Sequence, residues 1–130
     1  MADYTIVSVE DVPDFLGDYP GEMHFFTGPL ETEQVALTYR RMPPQTGGKG
    51  GYGHFHKTQE ELVFVFSGTL QFKIGDEVID VGPKHAVRFA PSAVRSIWND
   101  SDEDAHILIV STRIDNVRDD VEMVEGFWPE

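Results

Sequence analysis

Short apolar segments recur along nearly the whole chain, each bounded by Gly, Pro or Asp, and that rhythm leaves room for little except antiparallel sheet. Residues 35–42 read as a strand that ends at Pro43 and Pro44, because a proline pair cannot supply ladder donors. Residues 69–74 alternate, with Leu70, Phe72 and Ile74 inward and Thr69, Gln71 and Lys73 outward. Gly75 and Asp76 turn the chain into residues 77–81, and Gly82 and Pro83 turn it again into residues 86–90. Residues 94–99 and 106–112 follow, separated by the acidic turn 100–104. Residues 62–66, Leu-Val-Phe-Val-Phe, are apolar on both faces, as expected of a strand covered on both sides. Adding residues 4–9, the pattern predicts about nine short strands at hairpin spacing, which favours a sandwich or barrel over any βαβ arrangement. The one helical candidate is 116–123, and Phe127 and Trp128 are expected to fold back onto the body.

The segment from Gly48 to Gly68 carries the chemistry. His54 and His56 are two residues apart, so an extended chain projects both from one face. Glu61 opens the next strand, where its carboxylate can meet them. Two neutral imidazoles and one carboxylate suit a divalent first-row metal with open positions, as in non-haem iron oxygenases. The bland reading, two polar residues on a solvated strand, stays open on spacing alone. The glycines at 47, 48, 50, 51 and 53 do not form a phosphate loop, since no Gly-Lys-Ser/Thr ending or helix follows, and they read as a flexible entrance.

Gly48, His54, His56, Glu61 and Gly68 satisfy every position of G-x5-H-x-H-x3/4-E-x6-G, and in this the sequence resembles the cupin superfamily. A second segment, residues 89–102, is similar to that family's P-G-x-x-H-x-x-x-N, with Pro91 and Asn99 retained. Ser92 stands at its glycine and Arg95 at the histidine that completes its metal site. The resemblance covers roughly residues 35–112. It implies an all-β jelly-roll barrel (a double-stranded β-helix), commonly dimeric, with a site in the barrel mouth. It implies no single reaction, because the fold hosts dioxygenases, isomerases, decarboxylases, storage proteins and sensors. One domain is expected, with 1–34 packing on the barrel, 35–112 forming its core and 113–130 a tail.

Arg95 reshapes the expected site. A guanidinium stays protonated and cannot ligate metal, which leaves His54, His56 and Glu61 as the metal residues. At an effective dielectric near 20 and a separation of about 5 Å, it would repel a divalent ion by roughly 6 to 7 kcal/mol. A strong structural zinc site supplies roughly 10 to 16 kcal/mol, so the metal is weakened without being forbidden. Two expectations follow. In one, Fe, Mn, Ni or Zn sits on the three ligands and Arg95, with Glu61, acts on an anionic substrate in an oxygenase or isomerase. In the other, Arg95 pairs with Glu61 and the barrel is a metal-free binding or sensor module, or an acid-base site using His54 or His56.

Composition narrows the partners. With 23 acidic and 10 basic side chains, a net charge of −13 repels phosphate backbones and anionic lipid, so neither nucleic acid nor membrane is expected. No cysteine is present, which removes disulfides and thiolate ligands. The first ten residues lack the basic and apolar regions of a signal peptide, giving the expectation of a cytoplasmic protein. His24, His85 and His106 read as surface or edge residues, with His106 the candidate should a fourth ligand exist. Tyr52, Phe55, Phe64, Phe66, Phe72, Phe89 and Trp98 read mostly as core. Apolar strand faces beyond those a single barrel can cover point to a homodimer.

Overall fold

The computed structural model describes residues 3–130. Eleven strands form two antiparallel sheets facing each other. In chain order they are β1 (Glu22–Phe25), β2 (Val35–Met42), β3 (Thr46–Gly47), β4 (Gly53–His56), β5 (Glu61–Ser67), β6 (Leu70–Ile74), β7 (Glu77–Val81), β8 (His85–Phe89), β9 (Arg95–Asn99), β10 (Ala105–Thr112) and β11 (Val121–Val124). One sheet runs β1-β2-β10-β5-β8, and the other runs β11-β4-β9-β6-β7 with β3 pairing on β9. Short helices α1 (Thr27–Leu30) and α2 (Val117–Asp120) connect strands, and no helix among the described residues is long and apolar enough to cross a membrane.

Alternation explains the core. Met42, Val63, Val65, Leu70, Phe72, Val81, Phe89, Ala105 and Ile107 fill the space between the sheets. Phe72 and Phe89, from opposite sheets, stack with centroids 5.9 Å apart. Gly68 lets the β5–β6 turn pass close to β10: its φ is +83°, and a Cβ there would lie 2.6 Å from the Asp104 carbonyl oxygen.

Several segments differ from the pattern read in the sequence. Residues 4–8 join no sheet, and a 3-10 turn at Val9–Asp11 follows them, because alternation without an available strand edge does not make a strand. Residues 62–66 are covered on one face only: Val63 and Val65 point inward, while Leu62, Phe64 and Phe66 remain exposed. The helical candidate 116–123 is one turn of helix, α2, followed by β11, which pairs with β4 in the register Val121↔His56 and Met123↔His54. The glycine-rich entrance is pinned: the Gly48 amide donates to the Ile97 carbonyl (2.8 Å) and the Gly50 amide to that of Trp128 (2.6 Å). Trp128 is buried against it, as a folded-back tail requires. Tyr52, expected inside, is exposed.

His24 is buried, contrary to its surface assignment. Its Nδ1 meets the Val12 carbonyl at 2.9 Å and its Nε2 meets Glu22 Oε1 at 3.0 Å, so the ring ties the N-terminal segment to β1. Burial pushes its pKa down, but Glu22, the Val12 carbonyl and Asp14 outweigh that and raise it above 6.5. The stabilisation is therefore complete below about pH 6.5 and is lost as pH rises through the higher folded value. Urea denaturation of wild type and His24→Gln at pH 6 and pH 9 should show a stability gap that is larger at the lower pH; a gap growing with pH would contradict this assignment.

Candidate metal centre

The site forms where the two sheets approach. His54 and His56 lie on β4 and Arg95 on β9, whereas Glu61 is the first residue of β5 in the facing sheet. His54 and Arg95 are directly opposed across the β4–β9 ladder, so pairing alone places the guanidinium beside the imidazoles. One ligand-type atom each from His54, His56 and Glu61 lies within 4.8 Å of the others. The two imidazoles meet edge to face with centroids 5.2 Å apart. His56 is 4% exposed and Arg95 1%, so the cluster is interior and the solvated-strand reading of the histidines does not hold.

Arg95 points at the acid. Its Nη2 donates to Glu61 Oε1 at 3.1 Å, and Nη1 donates to the carbonyls of Pro91 (3.2 Å) and Ala93 (3.0 Å). The guanidinium also lies over the Phe89 ring, 4.9 Å from its centroid. Glu61 Oε2 faces the other way, 4.0 Å from His56 Nε2. One carboxylate oxygen is thus committed to the arginine and one is turned toward the histidines.

A second carboxylate, which sequence reasoning missed, orients the site. Asp120 of α2 is buried, and its Oδ2 lies 3.2 Å from His56 Nδ1. The same side chain accepts from the Thr58 amide (2.9 Å), the Thr58 hydroxyl (2.6 Å) and the Gln59 amide (3.1 Å). Burial alone would push the Asp120 carboxyl up, yet these donors and His56 hold it below its ordinary value, so it is an ionised acceptor. Against an ionised acceptor His56 Nδ1 is the donor, and Nε2 is the ring nitrogen turned toward Glu61. Nearby, Gln59 Nε2 donates to Ser111 Oγ (3.0 Å) and to the Thr112 carbonyl (2.6 Å), fastening the crossover from β4 to β5. Adjacent acids at Asp119 and Asp120 were the one available signal in the sequence, and no local spacing links them to His56.

His54 is prepared as a neutral base. Burial and then the Arg95 charge push its pKa down to about 4, with Glu61 pulling the other way. His106 does not join the cluster: it lies on the outer side of β10, where Tyr39 Oη meets its Nδ1 at 2.8 Å. Alternation forces this, because Ala105 and Ile107 face the core. His85 is exposed at the start of β8, bonded to the Pro83 carbonyl. Two surface clefts, one lined by Thr69, Gln71, Asp80 and Asp100 and the other by Tyr4, Leu30 and Glu33, lie away from the cluster.

Comparison with known proteins reports on the barrel. The cupin domain model matches residues 39–111. The chain belongs to the cupin family. No curated protein matches this cupin. Among solved structures it is similar to a sugar phosphate isomerase of the cupin superfamily from Silicibacter pomeroyi, at 16% identity, TM-score 0.74, covering 97% of this chain and 96% of that one. A structure from Acidithiobacillus ferrooxidans, provisionally assigned as a sugar phosphate isomerase, is 21% identical with TM-score 0.65, covering 78% of this cupin and 64% of the other chain. A single-residue variant of oxalate decarboxylase from B. subtilis is 22% identical with TM-score 0.74, covering 91% of this cupin but 32% of the larger chain. Likeness at these identities establishes the shared fold.

The Arg95–Glu61 pair gives a direct test. Removing one partner of a buried ion pair leaves the other uncompensated, at a typical cost of about 3 to 5 kcal/mol. Arg95→Met should be destabilised on that scale, and Arg95→Met/Glu61→Gln should recover a large part of the loss in chemical denaturation. Strictly additive effects of the two substitutions would show that the pair is not coupled.

Proposed function

We propose that this cupin holds one divalent first-row metal ion on His54, His56 and Glu61 and acts on a small anionic molecule, as an oxygenase or isomerase. The observation that carries this reading is the hydrogen bond from His56 Nδ1 to Asp120 Oδ2 at 3.2 Å. A carboxylate behind a ligating histidine fixes its tautomer and raises its basicity, an arrangement that accompanies metal-binding histidines. The depressed His54 pKa, about 4, keeps a second lone pair free at neutral pH. The ion would supply Lewis acidity and a polarised water or substrate oxygen.

The chain's own groups have separable roles. His54 and His56 offer neutral nitrogens, Glu61 Oε2 a negative oxygen, and Arg95 holds the other Glu61 oxygen so that the carboxylate cannot rotate away. Asp120 and Glu61 contribute −2 and Arg95 +1, so the cluster carries −1. A divalent ion brings it to +1, a field that favours an anionic ligand. Two similar structures bear the names sugar phosphate isomerase and oxalate decarboxylase, which also fits an anionic ligand. Exposed Leu62, Phe64 and Phe66 on the outer side of β5 supply the apolar face that a homodimer would cover.

A second reading rests on the 3.1 Å contact of Arg95 with Glu61: the pair closes the site, and the barrel serves as a metal-free binding module. Metal content separates the two. Protein purified from medium supplemented with iron, manganese, nickel and zinc should carry close to one equivalent of metal, lost in His54→Ala and Glu61→Gln. Asp120→Asn should weaken retention roughly 10- to 100-fold, and Arg95→His should strengthen it. Wild type that stays metal-free at saturating metal would establish the metal-free module instead.

A further inference from the structure

Arg40, like Lys49, Lys73, Lys84 and Arg118, faces no carboxylate among the described residues, and of these it alone has a side-chain nitrogen closed off from solvent without a partner. Arg41, Arg88, Arg95, Arg113 and Lys57 each face a carboxylate within ion-pair distance. With 23 acids for 10 basic side chains, carboxylates are abundant. Arg40 faces none among the described residues, and its Nε is withdrawn from solvent without a hydrogen-bond partner. The one titratable group that bears on its charge is the Tyr19 phenol, itself occupied in accepting from the Gly47 amide at 2.8 Å. Burial lowers the pKa of Arg40, as expected for a cation with no counter-charge.

Its side chain is half-buried on the inner face of β2. Arg40 shares a face of β2 with Met42, which is in the core, and its neighbour across the ladder on β10 is Ile107, also core. A cation on the core side without a partner costs stability, and such a cost is ordinarily offset by a counter-ion. Guanidinium presents five N–H donors in a planar fork that matches the two oxygens of a carboxylate or phosphate. Thr38, two residues earlier on the same face, adds a hydroxyl.

Register separates this position from the metal cluster. Glu61 aligns with Ser111 and Ser111 with Ala36, so Arg40 lies four residues farther along β2 and two strands across. That is about 13 Å along the strand and about 10 Å across the sheet. We propose that Arg40 anchors a second site on the inner face of β2, distinct from the His54, His56 and Glu61 cluster, that binds a small oxyanion through a carboxylate or phosphate group.

Isothermal titration of the full chain with phosphate and, separately, with malonate tests this, at constant ionic strength in chloride and with a chelator present to keep metal out of the neighbouring cluster. Wild type should bind at least one of the two with one-to-one stoichiometry, and which one it prefers identifies the group. Arg40→Met should reduce that affinity at least tenfold while melting at the same or a higher temperature, since the unpaired charge is gone. Arg40→Lys, which keeps the charge and loses the fork, should fall between them. No binding of either anion by wild type would overturn the proposal, as would binding undiminished in Arg40→Met. Because the metal is chelated throughout, failure here leaves the metal reading untouched, and the reverse also holds.

Discussion

The chain must leave one sheet after His56 and enter the other at Glu61, and the four residues of that crossover are held by a buried carboxylate from a distant segment. Asp120 takes the amides of Thr58 and Gln59 and the Thr58 hydroxyl, groups that would otherwise be withdrawn from water without partners. Its Oδ2 also reaches His56. Closing the crossover and orienting the imidazole are thus one event, so the geometry of the site depends on the fold of the last strand. β11 reinforces it by pairing residue for residue with the histidine strand.

The interior of this cupin carries buried charge. Arg95 and Asp120 are nearly or fully out of water, and Glu61 is largely so. Arg95 is met by Glu61 and two carbonyls, with its Nε alone left unpartnered, and Asp120 by three donors and an imidazole. Burial of charge at this density seldom raises stability over an apolar core. Its persistence in a barrel whose remaining core is Val, Leu, Ile, Phe and Met is the physical reason for assigning the mouth a chemical role.

Much of this was legible in the sequence where the pattern is local. Alternation located β2 and β6 to β10, and the spacing of His54, His56 and Glu61 foretold their convergence. Arg95 does pair with Glu61, a contact the sequence allowed. What escaped depended on long-range pairing. Residues 121–124 carry no strand signature apart from their fit against β4, and the link from Asp120 to His56 spans 64 positions. Residues 4–9 carry the signature without a partner. Phe64 and Phe66, apolar but exposed, show that hydrophobicity gives no indication of which face of a strand has a neighbour. His24 was assigned to the surface because its partners, the Val12 carbonyl and Glu22, come together only in the folded loop.

The account turns on which nitrogen of His56 carries the proton. Nitrogen-15 NMR of the imidazole rings at neutral pH reports this directly. A metal centre of the proposed kind requires a His56 ring protonated at Nδ1 with a bare Nε2, a His54 ring that stays neutral until the pH falls toward about 4, and a shift of both unprotonated nitrogens on adding zinc. A His56 ring carrying its proton on Nε2, or rings unperturbed by saturating zinc, would contradict the metal centre proposed for this barrel.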